Sequence, residues 1–163
     1  MTISNGPITQ IAWVTTDLDA TESFLSASFG VRKWTRIPGV EFGPESCSYR
    51  GEPADFVADI SLSYLGDMQL ELIRPVRGIS IYTEFLERGG QGLHHVCFEP
   101  DDFDAAVAQA QAQDVPVLQR GSMAGGMRFA YLGGAQAGVP YTELAEVSAD
   151  MRKFFDYIKK EAQ

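Results

Sequence analysis

The chain has 163 residues, 22 of them acidic and 13 basic, and a formal net charge of −9. With no basic excess to neutralise phosphates, this balance excludes non-specific nucleic-acid binding, and no apolar run approaches the roughly 20 residues needed to span a bilayer. A hydrophobic content of 45% is ordinary for a globular protein, and the length suits one domain or two small halves sharing a core. The two cysteines, Cys47 and Cys97, match no zinc spacing and make no disulfide framework. No basic-then-apolar leader is visible, so a soluble cytoplasmic protein with reduced thiols is expected.

Residues 8–14 read as a strand. Thr16 or Asp17 can cap a helix with Leu18, Phe24, Leu25 and Phe29 as its apolar positions, and Gly30 stands where a helix-ending glycine belongs. Residues 31–37 form a second strand. Residues 39–53 hold glycine, proline and polar residues and read as a long loop. Residues 56–65 and 68–73 pair around Gly66-Asp67, a two-residue turn signal. Residues 75–78 read as a linker, and residues 80–88 as a short helix ended by Gly89-Gly90. The second half restarts at Leu93, with a helix over 101–113 carrying Phe103, Ala106 and Val107. A strand over 115–119, a glycine-rich loop over 121–126 and strands over 127–132 and 139–147 follow. Ser148 caps a last helix whose Met151, Phe154, Phe155 and Ile158 make an amphipathic stripe. That stripe is read as core or as contact in a homodimer.

The order is strand, helix, strand, strand, strand, given twice. The fold class expected is therefore α+β, with a first βαβββ module over 1–78, a short helix and linker over 79–92, a second module over 93–147 and a C-terminal helix over 148–163. The repeat is visible in the residues themselves. Gln10-Ile11-Ala12-Trp13-Val14 with Asp17-Leu18-Asp19-Ala20 matches His95-Val96-Cys97-Phe98 with Asp102-Phe103-Asp104-Ala105, and Leu70-Glu71-Leu72 matches Thr142-Glu143-Leu144. Gln10 is thereby paired with His95, and Glu71 with Glu143.

Side chains two apart on a strand share a face. Gln10 then lies with Ala12 and Val14, His95 with Cys97, Glu71 with Gln69, and Glu143 with Tyr141. Trp13 and Phe98 fall on the opposite faces, under the helices. By the same parity His94 faces away from His95 and has a structural role. A sheet face with small residues and carboxylates suggests a cavity, because a buried carboxylate without a partner is costly. One imidazole with three oxygen donors suits a divalent ion: Zn, Ni, Co, Mn or Fe. Such an ion beside a carboxylate suits proton transfer next to a carbonyl. Glu143 is the expected base, with Glu71 as the alternative. Gln69, Tyr141 and Cys97 are placed against the substrate, with Cys97 as a small neighbour and not a nucleophile. Arg128, after Gly125-Gly126, meets either a substrate carboxylate or phosphate or a surface acid.

These segments, together with Gln69-Leu70-Glu71-Leu72-Ile73-Arg74-Pro75 and Gly92-Leu93-His94-His95-Val96, resemble the vicinal oxygen chelate, or glyoxalase/bleomycin-resistance/dioxygenase, superfamily over roughly residues 7–147. The resemblance implies two βαβββ modules forming an open barrel-like sheet around a metal, with the ligand positions at Gln10, Glu71, His95 and Glu143. Gln, Glu, His and Glu is the set of one glyoxalase I branch, and the segments around His95 and Glu71 are similar to those of methylmalonyl-CoA epimerases. Those epimerases usually have His where Gln10 stands. The expected function is a metal-dependent isomerase, epimerase or lyase acting on a small carbonyl or thioester compound. A non-catalytic binding or resistance protein of the same fold is the alternative. A ring-cleaving dioxygenase comes third, because such enzymes hold iron with two His and one Glu.

Overall fold

Strand β1 (Ile8–Val14) runs into Asp17, whose carboxylate accepts from Ala20 N and starts helix α1 (Leu18–Phe29). The structure, a computed structural model, describes residues 1–134 and 137–163. After α1 come β2 (Thr35–Phe42), β3 (Cys47–Tyr49), β4 (Glu52–Pro53), β5 (Phe56–Leu65), β6 (Met68–Arg77) and helix α2 (Ile81–Glu87). The second half holds β7 (Gly92–Phe98), α3 (Phe103–Ala112), β8 (Val117–Met123), β9 (Met127–Gly133) and β10 (Tyr141–Glu146). Helix α4 (Ala149–Glu161) closes the chain. Asp102 caps α3 as Asp17 caps α1, with Ala105 N as the donor, so both acidic helix starts follow from the same side-chain chemistry.

The ten strands form one curled sheet in the order β2-β5-β6-β1-β7-β10-β9-β8-β3-β4. The two halves meet at its centre, where β1 and β7 run antiparallel. Flanking them, β1–β6 and β7–β10 are both parallel. Their registers agree: Gln10 lies opposite Gln69 and Ala12 opposite Glu71, while His95 lies opposite Tyr141 and Cys97 opposite Glu143. The correspondence seen in the sequence is thus a correspondence of backbone position.

The concave side carries the larger core, in which Phe42, Phe56, Tyr82, Phe129, Tyr131 and Phe155 are buried together. A smaller core lies under α3, where Phe103, Ala106, Val107 and Ala110 cover Ala130, Leu132 and Leu144. Strand β9 supplies both: Met127, Phe129 and Tyr131 go to the concave core, and Ala130 and Leu132 go to α3. In α4 the expected stripe is core, with Phe155 and Ile158 buried and Met151 and Phe154 packed against them.

Four local readings change. The segment 39–53 is mostly strand. Strand β2 passes through Pro38-Gly39 on a bulge opposite Asp59, where Gly39 takes φ 64° and donates its N–H to Asp59 Oδ1 at 2.8 Å. The glycine and proline thus mark an irregularity inside a strand and not its end. Segment 75–78 is likewise no linker, since β6 continues to Arg77 by bulging at Val76 opposite Val57 and Ala58. Gly121 belongs to β8 and not to a loop. A Cβ there would stand 2.5 Å from Cys47 Sγ and 2.6 Å from Ser46 O, so the glycine lets β3 approach β8. Finally, Phe24 and Phe29 are exposed and pack edge to face on each other. Helix α1 turns a largely polar side inward instead: Glu22 binds Arg36 and Ser61, Thr21 bonds Thr15, and Ser26 accepts from Trp34.

Candidate metal centre

Four strands deliver four polar side chains to one point on the concave face. His95 Nε2 lies 3.0 Å from a Glu143 oxygen, 3.5 Å from a Glu71 oxygen and 3.2 Å from Gln10 Oε1. The ligand atoms of Glu71, His95 and Glu143 all fall within 4.8 Å of one another. His95 is fully buried, and Gln10 and Glu143 are nearly so. Neighbouring ligands with bonds of about 2.1 Å at right angles stand about 3 Å apart, so these separations fit donors arranged around one divalent ion. The donor set, one imidazole nitrogen with carboxylate and amide oxygens, fits as well.

Gln10 is aimed by a chain of hydrogen bonds. Tyr64 Oη accepts from Gln69 Nε2 at 3.0 Å, and Gln69 Oε1 accepts from Gln10 Nε2 at 2.7 Å. With its NH2 group engaged there, Gln10 turns its carbonyl oxygen toward His95, the orientation a metal ligand requires. Gln69 therefore serves Gln10 in this arrangement.

The buried charges set one another's protonation. Burial raises the Glu71 carboxyl above its usual range. Burial also opposes a charge on His95, but hydrogen bonds to Glu143 and Glu71 outweigh it and lift the imidazole to about 9. Without a metal the protonated His95 ring thus faces the carboxyl groups of Glu71 and Glu143.

A cavity of about 40 Å³ opens beside these residues, lined by Gln10, Glu71, Glu143, Tyr82, Tyr131 and, from α4, Met151 and Phe155. Further apolar walls come from Ile37, Phe42, Ile60 and Leu62. The Tyr82 and Tyr131 hydroxyls are 2.7 Å apart, and burial holds both phenols neutral by pushing them well above their usual value. Neither tyrosine stood out in the sequence. Tyr131 could have been found by its parity with Met127 and Phe129, whereas Tyr82 comes from a short helix far from either repeat.

The other expected site residues divide. Cys97 is buried on the cavity side next to Gln10 and Glu143, and burial pushes its thiol well up, which suits a packed neighbour. Tyr141 packs inside but turns its hydroxyl to Glu84, which accepts at 3.2 Å. Tyr49 and Arg50 bind the same carboxylate and, against the cost of its burial, hold it down to about 2. Arg128 does not reach the cavity. It lies on the opposite face of β9, stacked 4.7 Å over Phe103 and paired with Asp104 and Glu146, because its parity is that of Ala130 and not of Tyr131. His94 breaks its expected parity. Ala12 pairs with His95 but Trp13 pairs with Leu93, so His94 is the extra residue of a bulge. It turns inward beside His95, fully buried.

A half-barrel sheet of this strand order, with histidine and carboxylates converging on its concave face, defines a class. The family model for the Glyoxalase/Bleomycin resistance protein/Dioxygenase superfamily matches residues 9–131, and the chain belongs to that superfamily. It is 26% identical over 114 residues to the mitochondrial methylmalonyl-CoA epimerase of Mus musculus, covering 69% of this chain and 56% of that protein. The chain thus spans little more than half the length of that relative. It is 29% identical over 94 residues to the uncharacterized protein YqjC of Bacillus subtilis (strain 168), covering 56% of this chain and 67% of the relative. Among solved structures, a variant of Streptomyces coelicolor methylmalonyl-CoA epimerase in complex with 2-nitronate-propionyl-CoA aligns with a TM-score of 0.62 at 25% identity. That alignment covers 90% of this chain and 100% of the other. A methylmalonyl-CoA epimerase in complex with methylmalonyl-CoA and NH4+ aligns with a TM-score of 0.60 at 27% identity, over 90% and 98% of the two chains. Among the described residues no helix is long and apolar enough to cross a membrane.

Proposed function

We propose that the chain is a metal-dependent isomerase or epimerase that moves a proton next to the carbonyl of a small carbonyl or thioester compound, with an acyl-CoA thioester as the favoured substrate class. The observation that carries the reading is the convergence of Gln10, Glu71, His95 and Glu143 around one point. The CoA ligands bound in the two epimerase structures support the thioester class. Gln10, Glu71, His95 and Glu143 would hold the ion, which when bound would polarise the carbonyl and acidify the neighbouring C–H. Glu143 takes that proton as a carboxylate. In an isomerisation it returns the proton to the neighbouring carbon, and in an epimerisation Glu71, the second carboxyl group within reach, delivers a proton to the opposite face. The apolar walls keep water from competing for the carbanion.

Elemental analysis of the protein loaded with Co2+, Mn2+, Ni2+ and Zn2+ tests the centre, and deuterium exchange from solvent into methylmalonyl-CoA tests the reaction. Wild type is expected to hold close to one ion per chain, and His95→Ala to lose it. Glu143→Gln is expected to slow exchange by about 10²–10⁴-fold, the usual contribution of a positioned general base. Metal content that is unchanged in both His95→Ala and Glu143→Gln would sink the proposal.

A further inference from the structure

We infer that His94 is a positioning residue that fixes the ring of His95 with Nε2 bare toward the centre, by accepting the hydrogen bond of His95 Nδ1–H. The two Nδ1 atoms are 2.8 Å apart, and only one proton can occupy that bond. If His95 donates it, neutral His95 keeps a lone pair on Nε2, the atom that faces Glu71, Glu143 and Gln10. If His94 donates it, the proton of neutral His95 sits on Nε2 and the ring cannot bind an ion. Which partner donates thus decides whether the ring is a ligand. The inference rests on the metal reading proposed above.

Among the described residues no other group bonds His95 Nδ1. The His94 ring is fully buried and boxed by Tyr82, Phe85, Tyr131 and Tyr141, with ring centroids 5.2, 5.1, 6.2 and 4.5 Å away. Solvent cannot replace it. The bulge on β7 is what makes the contact, since an unbroken strand would have sent His94 to the outer face. The far nitrogen, His94 Nε2, lies buried against the main chain of Ile81 and has no hydrogen-bond partner among the described residues. A histidine that served only to fill space would be a poor choice in this aromatic box, because it leaves a buried polar atom unmatched. What the histidine adds over Phe or Leu is the acceptor at Nδ1. Second neighbours of this kind hold a metal-binding imidazole in one tautomer and one orientation.

The test compares His94→Gln, which retains an acceptor, with His94→Leu, which has none, using Co2+ alone as the probe in competition with a fluorescent chelator. His94→Leu is expected to bind Co2+ about 10–100-fold more weakly than wild type, the usual effect of losing such a partner, and His94→Gln to recover most of that loss. In parallel, ¹⁵N-labelled wild type is examined without metal at a pH above about 9, where the His95 ring is neutral, for the scalar coupling across the Nδ1–H···Nδ1 bond. The coupling is expected, with the Nδ1 proton assigned to His95. Wild-type affinity in folded His94→Leu would overturn the inference, as would a proton assigned to His94 or no coupling at all. Should His94→Leu fail to fold, the coupling and the His94→Gln affinity decide. Wild type that binds no Co2+ removes the function proposed above, and the coupling is still read independently of it.

Discussion

At the scale of single residues, a proton on His95 and the proposed ion would serve the same end, a positive charge facing Glu71 and Glu143. His95 sits near 6.5 in an unfolded chain and is lifted to about 9 in the fold, with burial opposing and Glu143 and Glu71 prevailing. A group raised on folding contributes stability that is complete below its unfolded pKa and lost as pH climbs through its folded pKa. The chelated protein should therefore lose thermal stability as pH rises from about 6.5 to about 9. Excess Co2+ should remove most of that loss, since the ion then balances the carboxylates. Melting curves at several pH values, with and without metal, check both statements. A chelated protein equally stable at pH 6.5 and pH 9 contradicts the first. The four converging side chains were legible in the sequence because polar residues inside apolar strands recur at matched places, and strand parity then groups them. His94 was not legible. Parity assumes an unbroken pleat, and a single extra residue reverses it for one side chain while leaving no mark in composition. Arg128 met the second of its two readings, since parity held and carried it to the outer face, where its partners are the acids Asp104 and Glu146.

At the scale of elements the informative piece is β3, three residues long, which leaves the first half to pair with β8 of the second. Helix starts were legible from Asp17 and Ser148, because a cap is a local interaction between neighbours in sequence. The partner of a three-residue strand is decided by tertiary contact, so residues 39–53 could be recognised only by their glycine and proline. The sign of that pairing is Gly121, which stands where β3 comes closest. Gly121→Ala is expected to force β3 away and to destabilise the fold by about 1–3 kcal/mol, the cost of overpacking a tight contact. Urea unfolding measures it. Gly43→Ala has open space around its added methyl and should change little, so equal effects of the two substitutions would count against this account of β3.

On the scale of the whole molecule, α4 lies across the concave side and is tied to both halves. Lys159 pairs with Asp67 at 2.7 Å, Lys33 with Glu161, and Arg152 with Glu99. Its Met151 and Phe155 wall the cavity beside the carboxylates. At about 40 Å³ that space holds only about three waters, taking 10–15 Å³ for each. A thioester acyl group with its polar head needs more. Entry of such a ligand must then wait for α4 to yield, so the rate of binding would belong to the protein and not to the ligand supply. In a stopped-flow experiment with the Glu143→Gln protein and methylmalonyl-CoA, the observed rate should level off as ligand is raised. Phe155→Ala should lift the plateau. Added salt should lift it too, since the ties holding α4 are exposed ion pairs. A rate that climbs linearly at all concentrations in both proteins would mean that the helix does not gate the site. On the proposed function, a helix that began as an amphipathic stripe would act as a clock for the reaction, and changes in its surface charges would retune turnover without touching any group that meets the substrate.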